Sequence, residues 1–410
     1  MALNPLDTIC SRAWTDLNLD FHLDNWRYCC KSICSPLPKT FDVDYLTNNP
    51  IINKQRNELQ NGVKTELCAK CWEDYKDTGS AWRDIGNRWS ENNPNFKNKP
   101  LKEWIRVNSI PAQLVLTFDN ICDQSCLYCG PNNSTKWEKE VNEYNGTDTN
   151  TKNQIDILVD WIVKTYTHDS VAKSVVFQIL GGEPTYSHNF YYFLSRLKEK
   201  GYGTKKENIH TIISITSNGN TTEKKMANLL ELINDFSFEW HIGLSMEAFG
   251  NVGENIRYGL NVKNFERNLK SYLKEDKVSR IVFSPAMNVF NIKTFHAYIE
   301  WVHSIIKITN KEKKFTWVGN WVTDSPDEMD CKHLPKSFVK YINMAETVMK
   351  ETSKDLNIDE YHNITIFFSD MKKRIQNYKE NTNIIKNYLD YLATIKKNLN
   401  KQLLLEQIRE

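Results

Sequence analysis

The chain has 410 residues, 40% of them hydrophobic and 25% charged, enough for two or three domains with substantial cores. Lys and Arg total 53 against 51 Asp and Glu, a formal net charge of +2, so no global field draws the chain to nucleic acid or to an anionic membrane. No apolar run approaches the roughly 20 residues that span a bilayer, and the start, Met1-Ala2-Leu3-Asn4-Pro5-Leu6-Asp7, lacks the basic and apolar regions of a signal peptide. A cytoplasmic protein is expected, in which the clustered members of the ten cysteines serve as metal ligands rather than as disulfides, with Cys34 and Cys331 not among the ligands.

Residues 1–105 are rich in cysteine, tryptophan, asparagine and lysine and poor in sustained periodicity, the pattern of a segment that folds around a metal. Six cysteines lie there: Cys10, Cys29, Cys30, Cys34, Cys68 and Cys71. The Cys68-Ala69-Lys70-Cys71 pair, with Cys10 and either Cys29 or Cys30, supplies thiolates for a 4Fe-4S cube or for a four-thiolate zinc site, and spacing does not choose between them. Trp82-Arg83 to Arg88-Trp89 is aromatic and basic, but no charge stripe or aromatic ladder supports nucleic-acid binding.

Residues 106–325 alternate short β-branched or aromatic runs with longer helical patterns, the signature of an α/β fold around a parallel sheet. Six strands are predicted: Gln113 to Phe118, Val175 to Leu180, Thr211 to Thr216, Trp240 to Met246, Ile281 to Val289 and Phe315 to Val322. Residues 326–410 read as a helical extension, with Ile385, Tyr388, Leu392, Ile395 and Leu399 forming an apolar stripe expected to pack on the body.

The chemistry-bearing residues follow the strands. After the first come Cys122, Cys126 and Cys129 within eight residues, three thiolates that leave one iron of a 4Fe-4S cube without a protein ligand. Gly181-Gly182-Glu183-Pro184 ends the second, where residues without a Cβ let backbone approach a ligand closely. Ser217-Asn218-Gly219-Asn220 ends the third, with short groups suited to hydrogen-bonding a ribose, or alternatively to starting a helix. Ser245-Met246-Glu247 ends the fourth, Arg257 lies downstream, and Asn288 closes the fifth.

The C-x3-C-x2-C loop, Gly-Gly-Glu-Pro and Ser-Asn-Gly, in that order, resemble the radical SAM superfamily. The resemblance implies a partial (β/α)6 barrel in which S-adenosylmethionine chelates the open iron and is reductively cleaved to a 5′-deoxyadenosyl radical that abstracts hydrogen from a substrate. No protein general base is required. It further implies cosubstrate contacts from Tyr128, Gly181, Gly182, Glu183, Ser217, Asn218, Ser245, Arg257 and Asn288, with Glu183 near the amino group and Arg257 on the carboxylate. An electron donor such as flavodoxin or ferredoxin is implied as a partner. Glu247 departs by one methylene from the aspartate many relatives carry. Cys68 to Arg83, including Gly79 and Ser80, resembles the twitch-type region, a shortened relative of the SPASM domain, although Asp24-Asn25 stand where its glycine is expected. That resemblance implies a second 4Fe-4S cluster, with zinc as the alternative, and a peptide or protein substrate. Glycyl-radical activation, nucleoside or small-molecule chemistry, and a non-catalytic metal-stabilised binding protein are the competing functions.

Overall fold

Alternation of apolar and polar residues builds one large sheet. A computed structural model describes residues 8–78, 83–84, 86–87, 110–144, 151–167, 172–204, 209–309, 314–322, 326–355 and 361–409. Met1 to Asp7, Gly79, Ser80, Trp82, Arg88 and Trp89, named above, lie outside the described residues. The strands are β1 (Asp16–Asp20), β2 (Asn25–Arg27), β3 (Ser35–Pro36), β4 (Gln113–Thr117), β5 (Ser174–Leu180), β6 (His210–Ser217), β7 (Glu239–Leu244), β8 (Val278–Phe283), β9 (Ala286–Met287), β10 (Lys314–Trp317) and β11 (Asn320–Trp321). Nine of them share a sheet in the order β10-β8-β7-β6-β5-β4-β1-β2-β3.

The six predicted strands are all present as β4, β5, β6, β7, β8 and β10, side by side in chain order and parallel. Helices Thr151–Thr165, His188–Glu199, Glu223–Asp235, Val262–Lys274 and Phe295–Thr309 fill the crossovers. The sheet does not close, so this is a partial (β/α)6 barrel. On β5 the residues Val175, Phe177 and Ile179 are buried, and the Phe177 ring meets Phe193 of the following helix at 6.1 Å. Their neighbours Val176, Gln178 and Leu180 face the other way and are half-buried. Gln113 Nε2 donates to Gln178 Oε1 across that face at 2.5 Å.

The fifth and sixth predicted strands are each cut in two. Pro285 has no N–H for a ladder, so β8 ends at Phe283 and the chain resumes as β9, paired with β11 in a separate small sheet. The outer edge at β10 is covered by helix Tyr361–Asn377, whose Phe367 ring would stand 2.4 Å from a Cβ at Gly319. The apolar stripe of helix Thr382–Ile395 packs on the body, burying Ile385, Leu389 and Leu392. No helix of the described residues is long and apolar enough to cross a membrane.

β1 is the strand that the sequence pattern does not announce. Its Leu17 and Leu19 are buried, and it runs parallel to β4 with Asp16 opposite Gln113, so the sheet continues from the cysteine-rich segment into residues 106–325 without a break. Asp24, in the turn to β2, adopts φ 50°, the left-handed conformation that glycine takes without penalty.

Because β1 belongs to this sheet, Leu17→Ala should lower the urea midpoint of the transition that melts the sheet, at a cost of about 2–5 kcal/mol. Far-UV circular dichroism and tryptophan fluorescence should move together. An early step confined to the amino-terminal segment, with the main midpoint unmoved, would show that β1 is not part of the cooperative unit.

Candidate functional site

The loop after β4 gathers three thiols at the carboxyl end of the sheet, where parallel α/β folds place their ligands. Cys126 is buried and Cys122 and Cys129 are half-buried. The thiols of Cys126 and Cys129 share a hydrogen bond, Cys122 lies within electrostatic reach of Cys129, and burial pushes the Cys122 thiol up. The loop is tied down on every side. Ser125 N donates to Tyr258 O at 2.9 Å, Leu127 N to Ile256 O at 2.8 Å, and Trp137 Nε1 to Cys126 O at 2.8 Å. Gln124 N donates to Cys122 Sγ at 3.4 Å. The donor set fits an iron-sulfur cluster: none of the three cysteines is in a disulfide, and a backbone N–H points at one sulfur. Gln124, wholly buried between the first two cysteines, has an amide Nε2 with no protein partner, as expected of a donor left for a group outside the chain.

Gly181 and Gly182 serve this loop. A Cβ on Gly182 would stand 2.4 Å from Ile121 O and 2.5 Å from Asn120 O, and one on Gly181 would stand 2.5 Å from Asp119 O. Gly181 also has φ +124°, which L side chains rarely adopt. The close approach permitted here is to the cysteine loop itself.

Glu183 is wholly buried, and both its oxygens are engaged. Oε1 accepts from Thr185 N at 3.1 Å, Thr185 Oγ1 at 2.7 Å and Ser217 Oγ at 3.0 Å; Oε2 accepts from Ser217 Oγ at 3.1 Å and Asn218 N at 2.6 Å. Burial pushes the carboxyl up to about 7. Glu183 therefore ties the end of β5 to the end of β6. Asn218 Nδ2 donates to Asp123 Oδ1 at 2.7 Å and stands 3.9 Å from Cys122 Sγ, while Asn220 Nδ2 donates to Asp123 Oδ2 at 2.7 Å. Asp123, inside the cysteine loop, is thus the bridge to β6, a role its sequence position hints at only by adjacency.

A second buried carboxylate sits beyond β7. Glu247 receives Arg257 Nε at 2.8 Å and Nη2 at 2.7 Å, Tyr128 Oη at 3.0 Å and Ala286 N at 3.1 Å. Arg257 Nη1 stands 3.9 Å from Cys126 Sγ. The hydrogen bond from Cys129 and this guanidinium both hold Cys126 below its usual range, against its burial. Ser245 contributes a backbone bond to Ser217 O at 2.9 Å. Asn288 turns inward, with Nδ2 on Ala286 O at 2.8 Å and Oδ1 accepting from Phe290 N at 3.0 Å. No local pattern links Glu247 to Tyr128, which lie 119 residues apart.

The amino-terminal cysteines form a separate group. Cys10, Cys29, Cys68 and Cys71 line one cavity of about 20 Å³ together with Tyr28, Gln55 and Trp72. Cys30 and Cys34 are exposed, and Cys331 is buried beside Asp330. Gln55 Nε2 donates to Cys68 Sγ at 3.1 Å, and Gln55 Oε1 and Trp72 Nε1 are buried polar atoms with no protein partner. Four thiols and these two polar atoms suit a bound thiophilic group. Among the described residues, no three His, Cys, Asp or Glu side chains meet closely enough for a single metal ion.

Residues 116–302 match the model of the Radical SAM superfamily, a span that opens in β4 and closes in helix Phe295–Thr309. Among solved structures, native anSMEcpe with bound AdoMet and Kp18Cys peptide is similar at 15% identity over 60% of this chain and 63% of that chain, with TM-score 0.39. The chain therefore spans about 63% of that protein's length. SuiB of Streptococcus suis bound to S-adenosylmethionine is similar at 15% identity over 76% of this chain and 66% of its own, with TM-score 0.40. SuiB bound to the precursor peptide SuiA covers 86% and 73% at 15% identity, with TM-score 0.39. Likeness at this level identifies no substrate. No curated protein matches the chain.

Since Gly182 packs on Asn120 and Ile121, Gly182→Val should displace the cysteine loop, so that bound iron and affinity for S-adenosylmethionine fall together. Full iron content with only the affinity reduced would return Gly182 to the cosubstrate pocket.

Proposed function

We propose that this chain, which carries a radical SAM domain, is a radical SAM enzyme that takes a 4Fe-4S cluster on Cys122, Cys126 and Cys129 and removes hydrogen from a peptide or protein. The observation that carries the reading is the convergence of three thiols at the carboxyl end of the parallel sheet, each on a loop braced by the ends of β5, β6 and β7. When bound, the cluster and S-adenosylmethionine supply a one-electron cleavage and a hydrogen-abstracting adenosyl radical. The chain's own residues hold and shield. Arg257 offsets negative charge at Cys126, Tyr128 and Glu247 lock the guanidinium in place, and Asp123 with Asn218 aligns the Cys122 end of the loop. Ser217 and Asn218 would border the ribose, and Arg257, whose Nη1 stands 3.9 Å from Cys126 Sγ, would meet the cosubstrate carboxylate. An external flavodoxin or ferredoxin delivers the electron, in the reducing cytoplasm that ten cysteines outside disulfides suit.

The second part of the reading is a 4Fe-4S cluster on Cys10, Cys29, Cys68 and Cys71, with zinc as its competitor. It is supported by the shared cavity and by the exposure of Cys30, which sets that residue aside. The amino-terminal cysteine segment is also what favours a peptide or protein substrate over glycyl-radical activation or small-molecule chemistry.

Changing Cys122, Cys126 and Cys129 together to Ala should abolish 5′-deoxyadenosine formation under dithionite, read by anaerobic incubation and mass spectrometry. Persistent product would sink the assignment, and absence of product from the reconstituted wild type would leave a metal-stabilised binding protein.

Elemental analysis should find about eight irons per chain, two cubes of four, falling to about four in a Cys68→Ala, Cys71→Ala variant. About one zinc with a single cube per chain makes the second site structural.

A further inference from the structure

We propose that Lys396 is a positioning residue for the cysteine loop: its buried ammonium latches the carboxy-terminal helices onto that loop, fixing how firmly the loop keeps its cluster and how readily the cluster takes up an electron. The proposal rests on the reading that Cys122, Cys126 and Cys129 hold that cluster.

Lys396 follows helix Thr382–Ile395 directly, and its side chain is wholly buried. Nζ donates to Ser125 Oγ at 2.9 Å and to Glu140 Oε2 at 2.6 Å, while Ser125 Oγ donates to Glu140 Oε1 at 2.9 Å, closing a triangle against the residue before Cys126. The ammonium lies 3.8 Å from the centroid of Trp137 and 5.1 Å from that of Tyr258. Both residues touch the loop themselves: the Trp137 ring donates from Nε1 to Cys126 O, and the main-chain carbonyl of Tyr258 accepts from Ser125 N. Two turns before the end of the same helix, Tyr388 Oη donates to Leu127 O at 2.7 Å. The carbonyls of the second cysteine, Cys126, and of Leu127 after it are therefore held by side chains from outside the loop, and one of those side chains comes from the carboxy-terminal helix.

A buried lysine is costly unless paired, and a solvated lysine would end this helix equally well. The placement makes sense as a charge set beside thiolates. A cluster that gains one electron from the external donor becomes more negative, and a nearby cation favours that state. Glu140 cancels part of the field, but 18% of its side chain meets water whereas the lysine's is wholly buried, so the acid is the more screened of the two.

The test uses the full chain, reconstituted anaerobically, as Lys396→Met, Lys396→Arg and Tyr388→Phe. Three quantities are read: the rate of iron loss to a chelator, the midpoint potential of the first cluster, and, in iron-free protein, the alkylation rates of Cys126 and Cys129. K396M should lose iron about tenfold faster, the equivalent of one charged hydrogen bond, alkylate faster and show a lower potential. K396R should restore the potential. Y388F, which removes no charge, should hasten iron loss and leave the potential unmoved, a split that a general loss of stability does not produce. Wild-type iron loss, alkylation and potential in folded K396M overturn the proposal; if K396M does not fold, Lys396→Gln and Y388F decide it. The alkylation arm needs neither cluster nor turnover, so a failure of the latch is distinguishable from a failure of the radical SAM reading.

Discussion

A carboxylate taken out of water must be met at nearly every lone pair or give up its charge, and the carboxyl end of this sheet is organised around two that are so met. Glu183 and Glu247 are both wholly buried. Glu183 joins β5 to β6 through Thr185, Ser217 and Asn218; Glu247 joins β7 to the cysteine loop through Arg257 and Tyr128. Removing either one strands several donors at once, which costs far more than the loss of a single surface hydrogen bond. The cysteine loop lies between these two knots, so its geometry is inherited from four strand ends and not from its own short sequence.

The same logic recurs at the amino-terminal cysteines. Arg12, buried, donates to Asp16 Oδ2 at 2.6 Å and lies in electrostatic reach of Cys10 and Cys29, as Arg257 pairs with Glu247 and reaches Cys126. In both places an arginine is fixed by an acid at a strand end and presents its remaining charge to thiols. Arginine suits this because its planar fork binds a carboxylate with one edge and leaves other donors free, whereas a lysine offers a single point charge.

Much of this was legible in the residues. Short β-branched and aromatic runs between helical patterns marked six strands, and the motifs at their ends marked one site, because parallel sheets carry chemistry at one edge. What escaped was what depends on tertiary placement. β1 is five residues with three polar positions, and only its pairing with β4 makes it a strand. Pro285 cut a run that looked continuous. Gly181 and Gly182 carried a true signal of close approach, but sequence does not say what approaches. Choosing Cys29 over Cys30 likewise required the cavity, since adjacent residues in irregular backbone differ in direction in a way no spacing encodes.

The in-register pairing of β1 and β4 also sets the relation between the two cysteine groups. Cys10 and Arg12 precede β1, and β2, antiparallel to it, returns the chain toward Cys29 at that same end. Cys122 follows β4, at the opposite end of a parallel partner. Five residues at about 3.3 Å each put roughly 17 Å of strand between the two ends. A peptide group held over the first loop would reach the second group only through about five further extended residues. If iron is bound there, its roles are to pass electrons through the sheet's end or to stabilise β1 and the segment around it, and both act on the first site through the pairing of β1 with β4.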